Sequence, residues 1–251
     1  MTDAQQPMIQ VVDLHKSFGE NHVLKGVNLS VAKGTTTVIL GGSGSGKSVL
    51  MKHMIGLLRP DKGSVIVDGE AIEGLGEREL QRVRAKFGMV FQAAALFDSM
   101  DVMDNVAFPL REHSQLSHKE INDVVHAKLA VVGLRNIDER FPDQLSGGMR
   151  KRVGLARALA LEPKIVLYDE PTTGLDPITT DYVDEMIVQT KAKLEVTSVV
   201  ISHDIGSAFK VADRLAVLHE GVIIAEGTPE EVRNNKNPFI AKFFSLWFRP
   251  T

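Results

Sequence analysis

One octapeptide constrains this chain more than any other feature. Gly41-Gly42-Ser43-Gly44-Ser45-Gly46-Lys47-Ser48 follows the apolar Thr37-Val38-Ile39-Leu40 and opens a helix-like stretch. The spacing is G-x-x-x-x-G-K-[ST], a loop that wraps phosphate when it lies between a strand and a helix. Glycines let the backbone turn its N–H groups inward at phosphate oxygens, and the helix that follows adds its positive end. Lys47 is placed to bridge the outer phosphates, and the Ser48 hydroxyl to ligate Mg²⁺. With Val49, the run Gly41–Ser48 forms the candidate nucleotide-phosphate-binding set. The plainer reading is a flexible Gly/Ser loop, and the flanking strand and helix argue against it.

The rest of the chain alternates short apolar runs with helical text, the pattern of an α/β protein with a mainly parallel sheet. Strands are expected at Ile9–Leu14, Thr35–Leu40, Ser64–Val67, Gly88–Phe91, Ile165–Tyr168 and Ser198–Ile201. Leu215–Leu218 and Val222–Ala225, split by Glu220-Gly221, read as a hairpin. From Gln92 to Pro163 strand signals vanish, so residues 92–162 are expected to form a helical subdomain inserted into a core of 1–91 and 163–236. Thr228-Pro229-Glu230-Glu231 has the form of a capping box with proline at the first helical position. Residues 237–251 form an aromatic-rich tail.

Composition narrows the partners. A net charge of -3 offers no basic field for nucleic acid, and none is expected as a partner. The chain has no cysteine, which excludes disulfides and thiolate metal sites. No apolar run reaches the roughly 20 residues that cross a bilayer, so service to a membrane would go through a partner.

Two further motifs share the chemistry of the first. Ile165-Val166-Leu167-Tyr168 ends in Asp169-Glu170. The first carboxylate suits a Mg²⁺ site, and the second is placed to polarise water. Alone such a pair is a solvated strand end; with a phosphate loop upstream it becomes the second half of one site. Leu145-Ser146-Gly147-Gly148-Met149 precedes an expected helix over Arg150–Leu161, and Ser-Gly-Gly before a helix start makes a second anion cradle. One chain cannot easily bring both cradles to one γ-phosphate, whereas two chains arranged head to tail can.

Taken together, these motifs resemble the ATP-binding-cassette ATPases from Phe18 to about Gly227. The resemblance implies a phosphate-loop, RecA-like core with an antiparallel β portion and an inserted helical signature subdomain. It makes Ser146, Gly147 and Gly148 the signature that acts in trans. Gln92 becomes the Q-loop residue, with Ser48 and Asp169 a Mg²⁺ ligand. Glu170, His203 and Gln92 become the catalytic set, Asp176 the D-loop dimer residue and Phe18 the adenine-stacking ring. ATP and Mg²⁺ are the implied cofactors. Met149 stands where the family has glutamine, which removes a polar contact but not the cradle. Phe18 stands where tyrosine is usual, and stacking needs only the ring face. The remaining seven histidines show no metal-ligand spacing.

The stretch Phe91–Met100, with Asn105-Val106-Ala107-Phe108-Pro109-Leu110-Arg111-Glu112-His113, resembles ATPases of bacterial lipid-trafficking systems of the Mla type. That resemblance implies two ATPase copies on the cytoplasmic face of the inner membrane, two permease subunits and periplasmic MCE-domain subunits. A small-solute importer ATPase, or a non-transport cassette ATPase regulating a membrane complex, shares the catalytic motifs and stays open. The tail presents Phe239, Ile240, Phe243, Phe244 and Trp247 on one helical face. Packing on the chain's own core competes there with docking onto a second ATPase or a small accessory subunit, and the latter is the slightly favoured expectation.

Overall fold

The computed structural model describes residues 6–245. Two compact units divide it, residues 6–84 with 197–245, and Ala85–Val196.

The first unit carries two sheets. Strands β1 (Ile9–Phe18), β2 (Asn21–Val31), β4 (Lys62–Val67) and β5 (Glu70–Ala71) form an antiparallel sheet in the order β2-β1-β4-β5. β3 (Thr36–Leu40) lies between β8 (Thr197–Ser202) and β9 (Arg214–His219), parallel to both, and β10 (Val222–Gly227) closes the edge antiparallel to β9. Every residue of β3 and β8 is buried. A parallel strand covered on both faces has no solvent side, which is why Val38-Ile39-Leu40 and Val199-Val200-Ile201 are unbroken apolar runs. The two sheets meet where the Lys25 N–H donates to the Gly221 carbonyl at 2.9 Å.

Sequence reading misses β2, although Leu24, Val27, Leu29 and Val31 are all buried. Its period-two pattern breaks at Gly26, where φ is 89° and the register against β1 shifts. One extra residue in a strand reverses the faces on either side of it, so the alternation reads as noise. β5 is two residues long and leaves no pattern to find.

Helices α1 (Lys47–Met54), α2 (Glu77–Arg84), α7 (Ile205–Val211), α8 (Pro229–Arg233) and α9 (Pro238–Ser245) complete this unit. The capping box at α8 forms as expected: the Thr228 N–H donates to Glu231 at 2.8 Å, and the Glu231 N–H to Thr228 Oγ1 at 3.2 Å. The tail departs from expectation. Ile240 and Phe244 of α9 are buried within the chain's own unit, and Phe244 meets the Phe209 ring edge-on at 5.4 Å. Phe239 stacks on His219 at 3.7 Å. The i, i+4 pair Ile240 and Phe244 packs in a groove of the chain's own unit, while Phe239 stays 36% exposed. Trp247 lies outside the described residues.

In the second unit, β6 (Phe87–Val90) and β7 (Ile165–Asp169) pair in parallel. α3 (Val102–His113), α4 (His118–Val131) and α5 (Gly147–Ala158) pack on one another, α5 also covers β6, and α6 (Pro177–Leu194) follows β7. Regular structure between residues 92 and 162 is entirely helical, with a short 3₁₀ turn at Pro142–Gln144. The compact unit is wider than that stretch, because β6, β7 and α6 group with it. Gly88 is what lets α5 lie on β6, since a Cβ there would come within 2.4 Å of the Ala158 carbonyl oxygen. Among the described residues no helix is long and apolar enough to cross a membrane.

Candidate functional site

The residues singled out in the sequence fall on both units, and the glycine loop and His203 in the first, like Gln92 and Asp169-Glu170 in the second, lie at the carboxyl ends of parallel strands. That edge is where open α/β sheets bind ligands.

In the first unit, β3 runs into the glycine loop, with Gly44 (φ 75°) and Gly46 (φ 105°) in the left-handed region. Gly41 tolerates no side chain, because a Cβ would approach the Leu218 carbonyl oxygen and Ser45 Oγ to 2.5 Å each. Gly42 and Gly44 border open space. Lys47 is 7% exposed, and its ammonium donates to the Gly41 carbonyl at 2.8 Å and the Gly42 carbonyl at 3.1 Å. The lysine thus lies across the loop it follows. The intrahelical ladder starts only at the Leu50 N–H, which donates to the Gly46 carbonyl. Lys47, Ser48 and Val49 therefore present first-turn N–H groups to the loop's end. Ser45 Oγ is buried without a hydrogen-bond partner. An orphaned hydroxyl inside a glycine-lined cradle, beside a buried cation and a helix start, fits a polyphosphate.

Leu40 of β3 is in register with Ser202 of β8, so His203 emerges at the same edge as the loop. Asp204 fixes the exit by accepting the Ser207 N–H at 3.1 Å and donating its own N–H to Ser202 Oγ. Phe18, 49% exposed, ends β1 at the hairpin that returns as β2, and Lys16 Nζ lies 5.6 Å from its ring centroid. β2 in turn backs the loop, since a Cβ on Gly46 would strike Leu24 at 2.9 Å.

In the second unit, the register of Val90 with Tyr168 brings the ends of β6 and β7 level. Gln92 and the pair Asp169-Glu170 therefore leave the sheet at one edge. Gln92 is exposed at the corner of a turn closed by the Ala94 N–H on the Phe91 carbonyl. Glu170 has φ 49°, a strained backbone for a side chain of this size, and the Thr173 hydroxyl donates to its carboxylate at 3.0 Å. Strain held by its surroundings at a carboxylate is a common mark of a working site.

Ser146 caps α5, accepting the Met149 N–H at 3.3 Å. The helix therefore starts at Gly147, three residues ahead of expectation, and ends at Ala158. The cap moves the start, and Gly147 and Gly148 become its first turn with bare backbone facing out. Asp176 has a part that sequence reading did not assign: it caps α6, accepting the Ile178 and Thr179 N–H groups at 3.0 Å each. The Thr179 hydroxyl, followed by the backbone donors, holds the Asp176 carboxyl below the usual carboxylate range. Signature glycines, Gly174 and Asp176 line one groove of about 660 Å³. Also missed is Lys151, buried and donating to the Pro171 carbonyl directly after Glu170, with its ammonium pushed down by burial.

The model of the family described as ABC transporter matches residues 24–173, a stretch that runs from β2 through the phosphate loop and signature to Glu170. The chain belongs to the ABC transporter family. It is 39% identical over 94% of its length to the intermembrane phospholipid transport ATP-binding protein MlaF of Escherichia coli K12, covering 88% of that protein. It is 44% identical, again over 94%, to a Mycobacterium tuberculosis protein named as the probable ribonucleotide transport ATP-binding protein Mkl, and spans 66% of its length. Among solved structures, CbiO1 of Clostridium perfringens, part of an ABC transporter complex, superposes with a TM-score of 0.86 at 31% identity over 97% of this chain and 96% of its own. The cassette MJ0796, solved as a dimer bound to ADP and phosphate, superposes at 0.79 with 32% identity over 88% of this chain and 99% of its own.

Proposed function

We propose that this chain binds and hydrolyses ATP and powers a transporter of phospholipid between bacterial membranes. The observation that carries the reading is a glycine-lined cradle closed by a buried Lys47 and holding an orphaned Ser45 hydroxyl. Gly41–Val49 bind the phosphates and Phe18 stacks the adenine. Glu170 accepts a proton from the attacking water. His203 orients the γ-phosphate and Gln92 senses it. Ser48, Gln92 and Asp169 are of the types that hold Mg²⁺, which would neutralise phosphate charge when bound. Within the chain, 1–91 and 163–236 act as the nucleotide-binding core and 92–162 as the signature subdomain.

The second cradle, at Ser146-Gly147-Gly148, serves the nucleotide of another copy, so the working unit is a head-to-tail homodimer. The dimeric form of MJ0796 supports this. Phospholipid as cargo is supported by the MlaF name and the text from Ala93 to His113. On this reading the dimer sits on the cytoplasmic face of the inner membrane beneath permease subunits, with an MCE-domain protein beyond them. The Mkl relatives carry a ribonucleotide name, so cargo is decided by the lipids or nucleotides that purify with the assembled complex.

Glu170→Gln tests the chemistry. It should bind MgATP as the parent does and lose on the order of 10²–10⁴ in hydrolysis rate, because the amide keeps the shape but takes no proton. Turnover within a few-fold of the parent complex would remove Glu170 from its role.

A further inference from the structure

The loop that carries Gln92 is held from behind by residues with no part in the reading so far. After the Phe91–Ala94 turn, Ala94 (φ 61°) and Ala95 (φ 48°) stand consecutively in the left-handed region. That conformation is costly for any residue with a Cβ, and two in succession persist only if something holds them. The holder is Arg157 on α5. Its guanidinium forks, one nitrogen donating to the Ala94 carbonyl at 2.8 Å and another to the Ala95 carbonyl at 2.8 Å. The same group lies 5.8 Å from the centre of the Phe97 ring, and burial pushes its pKa down.

Two further residues complete the grip. Gly154, three residues before Arg157 on α5, admits the loop, since a Cβ there would lie 3.2 Å from both the Cβ and the carbonyl oxygen of Ala94. On the far side, the fully buried Asn105 accepts the Phe97 N–H at 2.9 Å and donates to the carbonyls of Phe97, Met100 and Asp101. Arg157 also lines a groove of about 320 Å³ with Phe91, Ala95, Phe97, Phe108 and Pro109.

We propose that Arg157 is a positioning residue: its fork keeps the Ala94-Ala95 turn in its strained form and so fixes where Gln92 projects. The inference rests on the reading of Gln92 as a γ-phosphate contact. Planarity decides the residue type: the guanidinium fork fixes the spacing and direction of its two bonds, whereas a lysine reaching both carbonyls would hold them from one rotatable ammonium with no fork to set the turn. Since Arg157 is also a wall of the groove, whatever fills the groove meets the group that sets the turn.

The test is steady-state MgATP hydrolysis by the full chain purified with its membrane partners. Arg157→Ala should lower kcat by about tenfold or more, since misplacing a reacting contact is costly. KM for MgATP should stay within about threefold, because Arg157 touches nothing that captures nucleotide. Arg157→Lys should fall between parent and alanine. Adding Ala95→Gly to Arg157→Ala should recover part of the loss, because glycine adopts the turn without strain. Ala95→Val, at an exposed position with the fork intact, should reproduce the loss by raising the strain instead. An unchanged kcat in Arg157→Ala, no recovery with glycine, or a silent Ala95→Val overturns the proposal. If Arg157→Ala does not fold, Ala95→Val decides alone. A silent Gln92→Ala would sink the reading of the site itself, whereas an active-site loss in Gln92→Ala beside a silent Arg157→Ala sinks only this inference.

Discussion

Two anion cradles start helices in this chain, and they are built to different specifications. The first, Gly41–Ser48, has a glycine cap at φ 105°, a lysine buried against its own loop and a hydroxyl with no partner inside it. The second, Ser146–Gly148, has a serine that already satisfies its helix start, no lysine within it, and bare glycine backbone on the wall of an open groove. A cradle with its own cation and unfilled hydrogen-bonding capacity can capture phosphate by itself. One with only backbone dipoles offers the weaker attraction of a helix end and works on an anion delivered to it. On the proposed reading, the difference assigns capture and closure to separate cradles.

Removing the cation should therefore hurt most. Lys47→Ala is expected to lower ATP affinity by roughly 10- to 100-fold, the worth of a charge-assisted contact to phosphate. Isothermal titration of the full chain measures it, and unchanged affinity would erase the distinction between the cradles. Ser146→Arg should leave affinity for ATP within about twofold while hydrolysis falls on the order of tenfold or more, because an interaction made only on closure is lost. A matching drop in affinity would mean that the second cradle also captures nucleotide.

The smallest effect on nucleotide should come from the tail, which belongs to neither cradle. Ending the chain after Asn237 exposes the surfaces that Ile240 and Phe244 cover, each worth roughly 1.5–3 kcal/mol of burial. The thermal midpoint of the free chain should fall by roughly 5–15 °C, with affinity for ATP close to the parent's. A truncated free chain that melts like the parent, but fails to assemble, would return the tail to another subunit.

How much of this could be read in the residues depends on whether a feature is local. Gly41–Ser48 and Asp169-Glu170 were legible because backbone shape and chemistry are set within a few neighbours, and the strands around them are unbroken apolar runs. The capping box at Thr228–Glu231 is local in the same way. β2 was lost because one left-handed glycine resets its alternation. The packing of the tail on its own unit was not legible because the surface that receives Phe244 is Phe209, 35 residues earlier, and no spacing rule connects them. Arg157 and Asn105 were invisible for the same reason: their partners are backbone carbonyls, which carry no residue identity. The capping role of Asp176 was within reach, since Asp-Pro before a helical stretch is a start signal.

The central claim is that the two cradles of one chain act on different nucleotides. Mixed dimers of tagged chains, one carrying Lys47→Ala and the other Ser146→Arg, test it most directly through single-turnover hydrolysis. Head-to-tail pairing places both defects on the same nucleotide site, because the chain with Ser146→Arg completes the site whose phosphate loop carries Lys47→Ala. The other site is then intact. The account predicts that this dimer keeps about half of the parent's single-turnover amplitude, while a dimer with both substitutions on one chain keeps about a tenth or less. Equal amplitudes for the two dimers, or the larger amplitude in the dimer with both substitutions on one chain, would contradict it.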